Sequence, residues 1–428
     1  MATRSQIFSP LMYIAHLTQD LKHRGSTTAN ETKASVYVRR VLVKLGVPTV
    51  EAQRFHGAVK LWRPYVLCLI LGLLGAVVYS LAGTVTQLLA ALCSALAAWW
   101  IYREVNFEDN PARRLLPTGN SQNVIGTIPP AEDVRVKVVL VGHLDSGQTP
   151  LLFSSSWILP VFVLLSLLTV LSLVANAVLY TCGALSGASV WYEWSWIGTA
   201  IQALALLFAM EAELSPYTEG ANDNASAVGV VLSLAQCAAE NPLQHTEIWT
   251  LLSGCEEVGC YGMMNFLKAY RQQLEDAVFI NLEGVGCGDI RYAKSEGAFA
   301  TYRSDPYLLD LAAHVAHRRP DLGGQACVLR AGYTETGVVA KYGLRGITLL
   351  TLKSNGIFNY MPFWHQRGDV FERLDEPTLH RVREFVWEMV VEMDRAASGD
   401  VPLDEEISSP CPPGPYFKTG SRLTPKEI

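Results

Sequence analysis

The sequence predicts an α/β fold carrying two apolar insertions, and three observations predict it. Short apolar runs end in glycine-containing or acidic turns, stretches with helical spacing separate them, and two long segments carry no charge. Half of the 428 residues are hydrophobic and only 17% are charged, against roughly 25% charged in an ordinary soluble domain. A net charge of −6 offers no electrostatic basis for binding nucleic acid.

Residues 17–54 show helical spacing. Ser26 or Thr27 can cap the helix, Ala34, Val38, Val41 and Leu45 fall on one face, and Gly46 stops it. This amphipathic packing helix leads the N-terminal part of the main domain, residues 1–63. Residues 65–102 then contain no charged side chain, enough for a membrane hairpin over 64–103 that turns near Gly83-Thr84, with Trp99, Trp100 and Tyr102 at the interface. A polar linker, 109–120, leads to strands 123–127 and 134–141, which are expected to pair with each other and to belong to a second piece of the main domain, 104–148. Residues 149–192 and 194–210 are again uncharged. They predict a second hairpin within 149–212, with one good span at 157–179 and a shorter partner at 196–210. For both hairpins the plainer alternative is a pair of buried core helices. Residues 213–397 return to the main domain, and the Pro-rich, charged tail from Ser398 is expected to be disordered.

Two hairpins place both termini and the main domain on one side of the lipid bilayer. Lys60, Arg63, Arg103, Arg113 and Arg114 lie on that side, whereas the turns near Gly83 and Ser186 carry no Lys or Arg. This distribution favours the cytoplasm. The first thirty residues are polar, so no cleaved secretory signal is evident. Cys68, Cys93 and Cys182 fall in apolar segments, and the cysteine spacing suggests neither a disulfide framework nor a thiolate zinc site.

The candidate chemistry gathers where apolar strands end. Strand 246–252 runs into Ser253-Gly254-Cys255-Glu256-Glu257-Val258-Gly259. Adjacent side chains point in different directions, so one carboxylate can hold a metal while the other handles a proton. An exposed acidic turn is the bland alternative. Strand 134–141 ends in Gly142-His143-Leu144-Asp145-Ser146, where a carboxylate two residues on can orient the imidazole; a lone His there is otherwise structural. Asp223, in Gly220-Ala221-Asn222-Asp223-Asn224-Ala225-Ser226, precedes helix 225–239. It is either a helix cap or a carboxylate shaped to bridge two cations. Strand 277–282 ends in Glu283, and Trp364-His365-Gln366-Arg367-Gly368-Asp369 supplies a second histidine with a nearby acid. His314 and His317, within helix 307–317, read as surface or packing residues. The remaining set of His143, Asp223, Glu256, Glu257, Glu283 and His365 offers nitrogen and carboxylate donors without cysteine. That donor set suits catalytic zinc, and its number suits two ions.

These motifs, in this order, resemble the zinc exopeptidase family that includes bacterial leucyl aminopeptidases, glutamate carboxypeptidase and glutaminyl cyclases. The resemblance covers residues 17–397 once the hairpins are set aside. The form Asn281-Leu282-Glu283-Gly284 is similar to the family's membrane-embedded branch of endoplasmic-reticulum and vacuolar metallopeptidases. The resemblance implies a mixed central sheet flanked by helices. It further implies two Zn2+ ions, one held by His143 and Glu283, the other by Glu257 and His365, with Asp223 between them. Glu256 would be the general base, Asp145 would orient His143, and Asp369 would serve His365 in the same way. Three departures accompany it. Glu283 stands where many members have Asp, the usual Ser-Asp loop is represented by Gly332-Tyr333-Thr334-Glu335-Thr336, and apolar spans lie between His143 and Asp223. The expected activity is that of a membrane-integrated zinc aminopeptidase acting on a peptide substrate, with Tyr333 as a candidate oxyanion donor. A single-zinc glutaminyl cyclase-like transferase using Asp223, Glu257 and His365, and a non-catalytic membrane scaffold, are the alternatives.

Overall fold

The computed structural model describes residues 9–297, 300–330 and 332–399. The tail expected to be disordered lies, from residue 400 onward, outside them. In chain order the elements are α1 (Pro10–Ala15), α2 (Ala29–Lys44), β1 (Thr49–Ala58), α3 (Arg63–Tyr79), α4 (Thr84–Val105), β2 (Thr118–Ile128), β3 (Val136–His143), α5 (Leu159–Ser186) and α6 (Val190–Leu214). There follow α7 (Ser226–Glu240), β4 (Thr246–Ser253), α8 (Tyr261–Tyr270), β5 (Val278–Glu283), β6 (Asp289–Glu296) and β7 (Tyr302–Arg303). The chain closes with α9 (Pro306–Arg318), β8 (Gln325–Leu329), α10 (Glu335–Lys341), β9 (Arg345–Ser354), β10 (Asn359–Tyr360) and α11 (Glu376–Ser398). It divides into two compact units, one drawn from residues 1–57, 119–147 and 217–428, the other from 58–118 and 148–216.

The first unit is the mixed α/β sheet that the family resemblance implies. Its strand order is β1-β2-β4-β3-β5-β9-β6-β7, with β10 beside β9 and β8 beside β6. The central strands β4, β3, β5 and β9 are parallel, whereas β2 and β6 flank them antiparallel. β3 and β5 are buried along most of their length, as apolar strands covered on both faces must be. One core contains Leu42, Val138, Leu140, Val231, Ile280 and Phe385.

Three local expectations are corrected. β2 and β3 do not pair, because β4 lies between them with Val124 opposite Leu252 on one side and Val138 opposite Ile248 on the other. No tight-turn pair joins β2 to β3, so nothing local forces a hairpin. The helix stops at Gly46 as expected, with α2 ending at Lys44, but it begins only at Ala29 and not at residue 17. Gly46 takes φ +79°, and residues 49–58 are a strand. Thr28, not Ser26 or Thr27, caps α2. Its Oγ1 accepts from Glu31 N at 3.4 Å, while Glu31 Oε2 accepts from Thr27 N at 2.8 Å, one residue short of the amide that a full capping box would use.

The second unit is helical. α3 packs on α4 and α6, and α5 packs on α4 and α6, so the four close into a bundle. Tyr79 stacks on Tyr192 with ring centres 4.8 Å apart, and Asn176 Nδ2 donates to Thr199 Oγ1 at 3.2 Å. α4, α5 and α6, of 22, 28 and 25 residues, are long and apolar enough to cross a membrane. α3, with 17 residues, is the shorter helix, not the partner expected at 196–210. That partner runs through Glu193 and Glu211 at its two ends, since a charge near a helix terminus does not stop a helix. The linker expected at 109–120 clusters largely with the helices. There a 3₁₀ turn, Pro111–Leu115, buries Ala112, and Arg113 Nε donates to Glu104 at 2.7 Å.

Candidate metal centre

Parallel pairing brings the sequence candidates together. His143 lies opposite Ser253 in register, and Val141 lies opposite Asn281, two residues before Glu283. His143, the Glu256-Glu257 turn and Glu283 therefore share the carboxyl ends of β3, β4 and β5, where ligands bind in open α/β sheets. Asp223 enters from the segment ahead of α7, and His365 from the loop after β10.

Two groups form with Asp223 common to both: His143, Asp223 and Glu283, and Asp223, Glu257 and His365. In the first, His143 Nε2 lies 3.3 Å from Asp223 Oδ1 and 3.2 Å from Glu283 Oε1. In the second, His365 Nε2 lies 3.6 Å from Asp223 Oδ2 and 3.0 Å from Glu257 Oε2. Glu256 Oε2 stands 3.8 Å from His143 Nε2. Asp223 Oδ1, Glu257 Oε1 and Glu283 Oε2 are buried without a hydrogen-bond partner. Buried carboxylate oxygens left so are costly, and hard divalent cations satisfy them. The residues thus fit the metal pair that the resemblance implies.

The loops carrying these ligands are held by side chains below them. Asp145 accepts from Glu256 N and Glu257 N, each at 3.1 Å, and from Ser26 Oγ at 2.6 Å, while its Oδ1 lies 3.5 Å from His143 Nδ1. His143 Nδ1 is closer to the Asp145 backbone carbonyl, at 3.1 Å, so Asp145 aligns the imidazole chiefly through its main chain and the Glu256-Glu257 turn through its carboxylate. Asp369 acts differently from the expectation that it would serve His365. It accepts from Asn222 N at 2.6 Å and Asp223 N at 3.0 Å, so it fixes the Asp223 loop. Asp223 caps no helix: Ala225 precedes α7, with no side-chain cap. Asn222 Oδ1 accepts from Gly286 N and Asn224 Oδ1 from Gly284 N, tying that loop to the end of β5. Gly147 leaves room for the second group, because a Cβ there would stand 2.9 Å from both Glu257 Oε1 and His365 Nε2.

The electrostatics reflect so many buried charges. Burial opposes the charged form of His143, but Glu283 and Glu256 outweigh it and hold the imidazole well above its ordinary range. His365 is likewise drawn down by burial and lifted more strongly by Glu257, to about 9. Burial pushes Glu256 well above the usual carboxylate range against the pull of His143, and raises Glu283 to about 7. Asp223 goes the other way, because both imidazoles overcome its burial.

The structure adds residues to which the sequence reading gave no role of their own. Arg24, fully buried, donates to the carbonyls of Leu144, Glu219 and Gly220 at 2.8, 2.6 and 2.8 Å, pinning the His143 and Asp223 segments together. Cys260 Sγ donates to Glu256 Oε1 at 3.3 Å. Glu335 is fully buried, with both carboxylate oxygens unpartnered. A buried Arg leaves no periodic trace, and its targets are carbonyls far along the chain. Tyr333 is half-buried and meets Tyr302 edge-on at 6.0 Å. His314 and His317 are exposed on α9, apart from the site.

Residues 206–390 match peptidase family M28. A search of curated protein sequences found no match. Among solved structures the fold is similar to a zinc aminopeptidase from Bacillus subtilis, at 14% identity over 90% of this chain and 94% of that one, with a TM-score of 0.54. It is also similar to a Zn-dependent exopeptidase from Parabacteroides distasonis, at 13% identity over 91% and 99% of the two chains, TM-score 0.53. A Porphyromonas gingivalis glutaminyl cyclase is similar at 14% identity over 91% and 100%, TM-score 0.53.

Proposed function

On the premise that the chain carries an M28 metallopeptidase domain in the zinc-exopeptidase fold, we propose that it is a membrane-integrated di-zinc exopeptidase, an aminopeptidase that hydrolyses peptide bonds. The observation that carries this reading is the pair of buried groups meeting at Asp223, with carboxylate oxygens left unpartnered in each. His143 and Glu283 would hold one ion, Glu257 and His365 the other, and Asp223 both. Zinc held there would supply Lewis acidity toward the scissile carbonyl and a water acidic enough to lose its proton near neutral pH. Glu256, which belongs to neither group, takes that proton and delivers it to the leaving amine. Its burial raises its proton affinity, the direction a general base needs. Asp145 keeps Glu256 and Glu257 in register by accepting from both amides.

Three long apolar helices support placement in a lipid bilayer, with the shorter α3 completing two hairpins. With four spans the peptidase unit would lie on the side of both termini, and Lys60, Arg63, Arg103, Arg113 and Arg114 favour the cytoplasm. Protease accessibility of a C-terminal tag in sealed vesicles checks the side. The second group alone is complete for one ion, which keeps a glutaminyl cyclase-like reaction as the second reading.

The deciding experiment assays purified protein on amino-acyl and pyroglutamate-forming substrates, with and without chelator, beside metal analysis. Two zinc ions per chain and chelator-sensitive release of N-terminal residues are expected; one ion with pyroglutamate formation favours the second reading. Glu256→Gln is expected to keep its metal and lose turnover by about 10²–10⁴-fold, the size of general-base catalysis. Full activity in that variant overturns the role of Glu256.

A further inference from the structure

Cys260 has no part in the chemistry above, yet three observations converge on it. It stands immediately before α8, where Ser, Thr or Asp would ordinarily cap the helix, and its side chain makes no cap bond. Its backbone is left-handed, φ +54°, a conformation that Gly or Asn adopts with less strain. Its thiol points instead at Glu256, with Sγ 3.3 Å from Oε1, while the other oxygen, Oε2, faces His143 Nε2 at 3.8 Å.

The need for such a contact follows from how Glu256 is held. Asp145 fixes its backbone amide at 3.1 Å, and Cys260 N donates to its carbonyl at 2.8 Å. Neither bond controls the torsions between the backbone and the carboxylate. A base displaced by even about 1 Å loses much of its rate. A thiol is a weak donor, but its bond to a carboxylate strengthens whenever that carboxylate is ionised. Cys260 is 2% exposed and not disulfide-bonded, and burial holds it firmly in the thiol form, so it donates.

We propose that Cys260 is a positioning residue: its thiol binds one oxygen of Glu256 and so turns the other toward the metal-binding groups and the substrate. This rests on Glu256 being the general base. Cys260→Ala, which removes the donor, and Cys260→Ser, which keeps one, are compared in the full-length, metal-loaded protein. Cys260→Ala is expected to lower kcat about tenfold, the worth of one net hydrogen bond, with KM, zinc content and thermal midpoint unchanged. Cys260→Ser is expected to recover most of that loss. In a Glu256→Gln background Cys260→Ala is expected to change nothing further. Unchanged kcat in Cys260→Ala, a loss that tracks zinc content or unfolding, or Cys260→Ser as slow as Cys260→Ala overturns the positioning role. Retained activity in Glu256→Gln alone overturns the base assignment instead, so the two failures are distinct.

Discussion

The two halves of the candidate metal centre use the same donors but are built differently. His143 and Glu283 are the last residues of β3 and β5, adjacent parallel strands, and His143 Nδ1 faces Asp145. Glu257 and His365 sit in turns. Glu257 depends on Asp145 through its amide, and His365 takes a left-handed φ of +52°. Sites on strands keep their geometry when empty, whereas sites on loops keep it only through supporting bonds. The first half is therefore expected to bind its ion more tightly than the second.

The strongest way to break this comparison is to remove what the halves share. Asp223→Ala is expected to abolish activity and reduce zinc from two ions per chain to fewer than one; two retained ions would end the idea of a common ligand. Next comes the contrast between His365→Ala and His143→Ala. Each is expected to keep one ion, but chelator competition should find the ion left in His143→Ala, on the loop side, weaker by about tenfold or more. The opposite order would reverse the argument. Asp369→Asn replaces one of the two oxygens that accept from Asn222 N and Asp223 N with a donor. A loss of about 10–100-fold in metal affinity is expected, the usual effect of residues supporting a ligand, and unchanged affinity would show that the Asp223 loop holds itself. Gly147→Ala sharpens the comparison further. The atoms nearest its Cβ would belong to Glu257 and His365, so the loop-side ion should weaken while the strand-side ion stays.

The smallest effect concerns Glu31, which accepts from Cys255 N and Ser121 Oγ, each at 2.9 Å. Burial, with Asp145 adding to it, raises this carboxyl from 4.5 to about 8. The folded state then binds the proton more tightly than the unfolded chain, so this group's stabilisation is full below pH 4.5 and declines as pH rises toward 8. Glu31→Gln should remove that slope. Its thermal midpoint should match the parent near pH 5 and exceed it by about 2–4 °C near pH 8, the shift expected for roughly 1 kcal/mol in a domain of this size. A parallel pH dependence in both proteins would refute it.

Much of the site is legible because His143, Glu283 and the Glu256-Glu257 turn stand at the ends of apolar strands. A carboxylate or imidazole following a buried β run is a local signal, and His143, Asp223, Glu257, Glu283 and His365 do meet. The apolar segments are equally plain, since a long stretch without charge needs no partner to be recognised. Less legible is anything that depends on a distant neighbour. Nearness in the chain points Asp369 to the histidine four residues away, but its bonds go to Asn222 and Asp223. β2 and β3, consecutive strands in the chain, are separated by β4.

The sequence by itself determined which side chains are candidates for the metal centre and which segments are apolar, because composition and periodicity act over a few residues. Only the tertiary structure decided the order of strands, the division of the centre into a strand-held and a loop-held half, and the pairing of Cys260 with Glu256. Those follow from which buried polar groups can satisfy one another in space, and residues 140 positions apart, such as His143 and Glu283, meet only once the sheet has formed.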